Sequence, residues 1–127
     1  MYSIFAFVAA DKPFGIVANA LAHASVGLAV KMRRLNIAPE FLDASQDATI
    51  NASATGGGVK VRACSQAEIR RYREEAVRAN LPFVDFVDTM TGDTYVEQLE
   101  KTKTRAEREL QYYSLVVVGP ESQFPEI

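Results

Sequence analysis

The stretch from Ile16 to Met32 is almost continuously small or apolar and has no interior proline. Such a run predicts a buried helix that packs closely on its neighbour through its alanines. An apolar surface has to receive it, and the preceding residues supply one. Ser3 to Ala9 carries Ile4, Phe5, Phe7 and Val8, the β-branched and aromatic content of a strand covered on both faces. Pro13 and Gly15 punctuate the passage between the two, and Lys31, Arg33 and Arg34 fall in the last helical turn, where cations complement the helix dipole.

From Asn36 to Gly58 the pattern weakens into Asp, Asn, Ser, Thr and Gly, with short apolar pieces at Phe41-Leu42 and Ile50 and no predicted element. After Gly56-Gly57-Gly58, Val59-Lys60-Val61-Arg62-Ala63 alternates strictly, which predicts a strand with one more exposed face. Ser65-Gln66-Ala67-Glu68 then reads as a capping box, the serine and glutamate satisfying each other's free backbone amides. The helix it starts runs to about Ala79, with Ile69, Tyr72 and Ala76 inward and Asn80 at the stop. Phe83 to Val87 predicts another strand and Asp88 to Asp93 a polar turn. Thr94 to Glu97 is a second capping-box match, opening a polar helix to about Lys103. Tyr112 to Val118 predicts the last strand, ended by Gly119-Pro120. Strands alternating with helices predict a three-layer α/β/α arrangement around a mixed sheet of about four strands. At 127 residues the chain suits one domain, residues 1–127.

Apolar residues make up 48% and charged residues 24%, close to globular averages, which argues against disorder, collagen-like repeats and a membrane protein. A net charge of −2 and a pI near 5.4 give no general attraction for phosphate backbones, so no DNA partner is expected. Arg70, Arg71 and Arg73 are followed at once by Glu74 and Glu75, a mixed-sign pattern that predicts a solvated helix face rather than an RNA-contact patch. The single cysteine, Cys64, forbids an intramolecular disulfide and a thiolate zinc site and fits a cytoplasmic protein. The Tyr2 to Ala10 run lacks a positive flank and stops at Asp11-Lys12-Pro13, too early for a signal peptide or a spanning helix.

Val59-Lys60-Val61 before a capped helix, then Ala79-Asn80-Leu81-Pro82-Phe83, then Val116-Val117-Val118-Gly119-Pro120 resemble type II peptidyl-tRNA hydrolases. So do Ala22-His23-Ala24 on the first helix and Asp88 at the strand end after a leucine-proline step. The likeness covers most of the chain outside 36–58 and 89–111. A closer likeness is to the prokaryotic family catalogued as domain of unknown function 2000, which shares that hydrolase-like fold. Pro13, Gly15, Asn19 and His23, Phe41-Leu42-Asp43-Ala44-Ser45, Thr89-Met90-Thr91 and Tyr95-x-x-Gln98-Leu99 carry it. The resemblance implies a homodimer, with a small ligand or a tRNA-like substrate or, without catalysis, as a dimeric interaction module. One position departs: aligning on His23 puts Ile16 where the hydrolases carry a proposed catalytic lysine, and isoleucine can neither move a proton nor stabilise an oxyanion.

Asn19 and His23 are four apart, so a helix sets them on one face as a pair. His23, the only histidine, faces either a buried partner or a cleft. The catalytic expectation gives His23 the general acid or base role with Asp88 orienting it. The ligand-binding expectation adds Lys12, Gly15, Asn19 and Thr89, with the free amides around Gly15 attracting an anion. Against these stand plainer roles: a tight turn at Gly15, an Asx turn at Asp88-Thr89 and a satisfied core histidine. Asp43, Asp93 and Glu97 have no diagnostic metal spacing, so no metal and no cofactor are expected. Cys64, between a strand and a helix start, reads as a buried inert thiol.

Overall fold

A computed structural model describes residues 2–37, 58–92 and 94–127 in full and the backbone alone of 41–43 and 51–53. The side chains of Phe41, Leu42 and Asp43, and the residues Ala44, Ser45, Ile50, Gly56, Gly57 and Asp93 singled out above, lie outside the described residues. The elements are β1 (Tyr2–Ala9), α1 (Phe14–Arg34), β2 (Phe41–Asp43), β3 (Asn51–Ser53), β4 (Val59–Cys64), α2 (Gln66–Arg78), β5 (Phe83–Val87), α3 (Tyr95–Lys103) and β6 (Tyr112–Pro120). Short 3-10 turns stand at Asp88–Met90 and Glu107–Glu109. The first replaces the irregular turn expected after β5. The β2–β3 hairpin is a separate two-stranded sheet, and three-residue strands without clear alternation gave no periodic signal.

The main sheet is mixed, in the order β4-β1-β6-β5, with β1 parallel to β4 and antiparallel to β6, and β6 antiparallel to β5. Register sorts its side chains into two faces. Phe7 stands between Arg62 and Leu115, and Leu115 beside Asp85, so one row runs Arg62-Phe7-Leu115-Asp85. The opposite face carries the row Ala63-Val8-Ser114-Phe86.

The first face belongs to α2. Both bonds of the capping box at Ser65 and Glu68 form, and Ile69, Tyr72 and Ala76 are buried as their spacing predicts. The Tyr72 ring stacks on Phe7 at 4.1 Å, and Phe124, from the segment after β6, sets its edge against both. Both charged ends of the row are met from the helix: Arg62 donates to the Tyr72 hydroxyl at 2.8 Å, and Arg73 pairs with Asp85 at 3.0 Å. The Gln66 amide reads the start of β6 like an extra strand, donating to the Tyr112 carbonyl and accepting from its N–H, both at 2.7 Å.

The second face belongs to α1. Val17, Ala20, Ala24, Leu28 and Met32 form the buried stripe, of which Ala24, Leu28 and Met32 pack with Ala6, Val116, Val118, Val84 and Phe86. The small residues set the approach distance: a Cβ on Gly27 would come within 3.3 Å of Val84. Ser114, buried on β6, donates to the Ala20 carbonyl at 3.0 Å. By length and composition α1 could cross a membrane; in this fold one side of it is spent on the sheet. The other side stays open, with Val26 67% and Val30 49% exposed.

Candidate functional site

One helix is narrower than the sheet beneath it, so α1 leaves a furrow along β5 that α3 closes from the far side. α3 follows β5 through the Asp88–Met90 turn. Its start is capped by the Thr94 hydroxyl, which accepts from the Glu97 N–H at 3.3 Å. The reciprocal half of the predicted box is not made. Thr89 anchors the turn from within: its hydroxyl is buried and shares a 2.6 Å hydrogen bond with Thr102 of α3.

The furrow is a cleft of about 540 Å³. Asn19 and His23 form its α1 wall and Phe86 its floor. Met90, Thr91 and Gly92 close one end, and Tyr95, Gln98, Leu99 and Thr102 form the α3 wall. The His23 imidazole lies over the Phe86 ring, centroids 5.3 Å apart and planes 26° from parallel. Histidine is therefore neither a core residue with a buried partner nor a member of a relay: it is an exposed ring stacked on the floor.

The polar groups of the cleft divide into two kinds. Gln98 donates to the Gly92 carbonyl at 2.5 Å, Thr91 to the Asp88 carbonyl at 2.8 Å, and Thr102 to the Gln98 carbonyl at 2.8 Å. These side chains hold the wall together. The Asn19 amide, the His23 imidazole and the Tyr95 hydroxyl make no hydrogen bond among the described residues.

The other residues picked from sequence stand elsewhere. Asp88 accepts from the Gln111 N–H at 3.1 Å and its own N–H donates to the Gln111 carbonyl at 3.0 Å, which splices β5 to the start of β6 across the bulge there. It makes no hydrogen bond to His23. Lys12 donates to the Gln111 side chain at 2.5 Å and lies 3.6 Å from Asp11. Gly15 is exposed, with open space around it. Lys12, Gly15, Asp88 and Thr89 are not among the residues that line the cleft; Asn19 and His23 are. The α3 wall was missed, although Tyr95, Gln98, Leu99 and Thr102 repeat at helical spacing on one face.

Two side findings bear on chemistry. Arg70, Arg71 and Arg73 of α2 are not simply solvated: Arg70 bonds Glu107 and the Leu110 carbonyl, Arg71 pairs with Glu126 at 3.8 Å, and Arg73 with Asp85. Cys64 is buried, and burial first, then the nearby Glu68 charge, push its thiol up. Among the described residues no group of three His, Cys, Asp or Glu side chains could hold a metal ion.

The sheet, its three helices and this cleft define an α/β protein with a four-stranded mixed sheet. The model of the family described as protein of unknown function (DUF2000) matches residues 4–127, and the chain belongs to that family. A solved structure of a protein of unknown function from Agrobacterium tumefaciens strain C58 is similar in fold, with a TM-score of 0.77 at 10% identity, covering 98% of this chain and 91% of that one. No curated protein matches the chain.

Proposed function

We propose that this protein binds a small, largely apolar ligand in the cleft between α1 and α3, with Asn19 and His23 as its polar contacts. The observation that carries the reading is the division of polar groups: Gln98, Thr91 and Thr102 are spent on the wall, and the two on α1, with the Tyr95 hydroxyl opposite them, are left for a guest. The volume falls in the usual range for small-molecule sites, about 300–1,000 Å³, as does a largely apolar lining with few polar groups. A thermal-shift screen of neutral and charged small molecules tests it. Binders should raise the melting temperature of the wild type and lose their effect in His23→Ala and Asn19→Ala. A screen in which both variants respond like the wild type rejects the site.

We also propose, from the sequence resemblance, that the arrangement of sheet and helices is that of type II peptidyl-tRNA hydrolases, in a single cytoplasmic domain. Hydrolysis of an ester or amide by His23 and Asp88 is the less favoured reading. Its orienting hydrogen bond is not made, Asp88 is engaged by Gln111, and Ile16 replaces the lysine. Turnover of a peptidyl-tRNA substrate that vanishes in His23→Ala and Asp88→Asn would restore it.

A homodimer is favoured by one observation. Val59 and Val61 on the edge strand β4 are 52% and 56% exposed on the sheet face that α1 leaves uncovered. Light scattering reporting a monomer at high concentration removes it.

A further inference from the structure

The chemistry left open in the cleft narrows its ligand further, on the binding reading given above. We infer that the ligand is a flat, uncharged heterocycle or cyclic amide that presents a hydrogen-bond donor beside an acceptor.

Flatness comes from the floor. His23 lies over Phe86 and is itself exposed, so the outer face of its ring is the stacking surface left open, and an aromatic guest prefers an offset stack on such a face to contact with a flexible chain. Tyr95, 73% exposed at the start of α3, stands on the opposite wall.

Neutrality comes from what is absent among the described lining residues: no lysine, arginine, aspartate or glutamate is one of them. A carboxylate or phosphate brought into a largely apolar furrow would lose its hydration with no fixed charge to replace it. Lys12, the cation nearest in sequence to Asn19, is held by Gln111 and Asp11 outside the lining.

The edge comes from Asn19. A carboxamide holds its carbonyl acceptor and its amino donors in one plane, the complement of a ring N–H next to a ring carbonyl. With Gln98, Thr91 and Thr102 bonded into the wall, that amide, the imidazole and the Tyr95 hydroxyl opposite are the side-chain groups able to select orientation, and of these the amide alone pairs a donor with an acceptor in one plane.

Four probes separate these elements: 2-quinolone, flat and neutral with adjacent N–H and C=O; quinoline, flat without that pair; 2-naphthoate, flat and anionic; and octanol, apolar and flexible. Each is titrated into the full chain while the backbone amides of Thr91 and Gly92 and the Asn19 side-chain amide are followed by NMR. The expected result is 2-quinolone tighter than the other three by about 10-fold, the worth of one or two hydrogen bonds in a desolvated site. Asn19→Ala and Asn19→Asp should both erase that margin, with melting temperatures that show each variant folded. Octanol binding as tightly as 2-quinolone, with Asn19→Ala unaffected, overturns the ligand class while leaving an apolar binding cleft. Naphthoate binding tightest overturns neutrality, and quinoline matching 2-quinolone overturns the paired edge. Cleft signals unmoved by all four overturn both this inference and the binding reading beneath it.

Discussion

On the α2 face of the sheet, both charged ends of the central row meet a partner carried by the helix; on the α1 face, the helix brings alanines and a glycine, a hydrogen bond from Ser114, one from Lys31 at its far end to the Phe83 carbonyl, and two polar side chains that bond nothing among the described residues. The strands are shared, so the contrast arises in the helices. α2 is short, polar outside and closed by caps at its start, and its aromatic contacts with Phe7 and Phe124 commit it to one position. α1 is long and held by close approach, which fixes its distance from the sheet but leaves its flank toward α3 free. Stabilising contacts are concentrated on one face, and the other keeps the cleft of the proposed ligand.

The largest effect that would break this contrast lies at Tyr72. Tyr72→Ala removes a fully buried ring stacked on Phe7 and should cost about 3–5 kcal/mol in denaturant unfolding, as large aromatic truncations do. A loss under about 1 kcal/mol would mean that the α2 face is not the anchor. Ser65→Ala dissolves the capping box and should cost about 1 kcal/mol by the same measurement.

Alkaline pH probes the same face. Burial first, and then its bond to Glu107, push the Tyr112 phenol above its ordinary value, and burial does the same for Tyr72. A folded-state pKa raised in this way contributes stability that is complete below the unfolded value and lost as pH climbs past it. Unfolding midpoints should therefore hold up to about pH 10 and fall above it. Midpoints that rise above that pH would contradict the assignment.

The α1 face makes the smallest prediction. His23→Ala and Asn19→Ala should each change stability by under about 0.5 kcal/mol, since both side chains are exposed and unbonded. A loss of several times that would turn the pair into structural residues. Ser3 sharpens the point from within the core: its hydroxyl is buried without a hydrogen-bond partner, so Ser3→Ala should be neutral or slightly stabilising.

Periodicity and caps made most of the sheet legible. The apolar runs of β1 and β6, the alternation of β4 and the Ser65-Glu68 box each reflect local physics that the tertiary structure does not override. The β2–β3 hairpin carries no periodic signal and was not foreseen; the turn after β5 follows from its polar residues, but its 3-10 form does not. In the site, Asn19 and His23 follow from helical spacing. Asp88 did not join them because its carboxylate satisfies a strand amide at the β5–β6 bulge, a need set by register and invisible in the sequence. The exposed face of α3 was readable as Tyr95, Gln98, Leu99 and Thr102, but nothing local says that a polar helix will stand across from α1.

The most direct test is an NMR map of amide shifts on adding the compound that most raises the melting temperature of the wild type. Binding in the cleft predicts changes confined to the Asn19–His23 turn of α1, the Met90–Gly92 turn and the inner face of α3. Changes centred instead on the arginines of α2, or on the Lys31 and Phe83 end of the sheet, would contradict it.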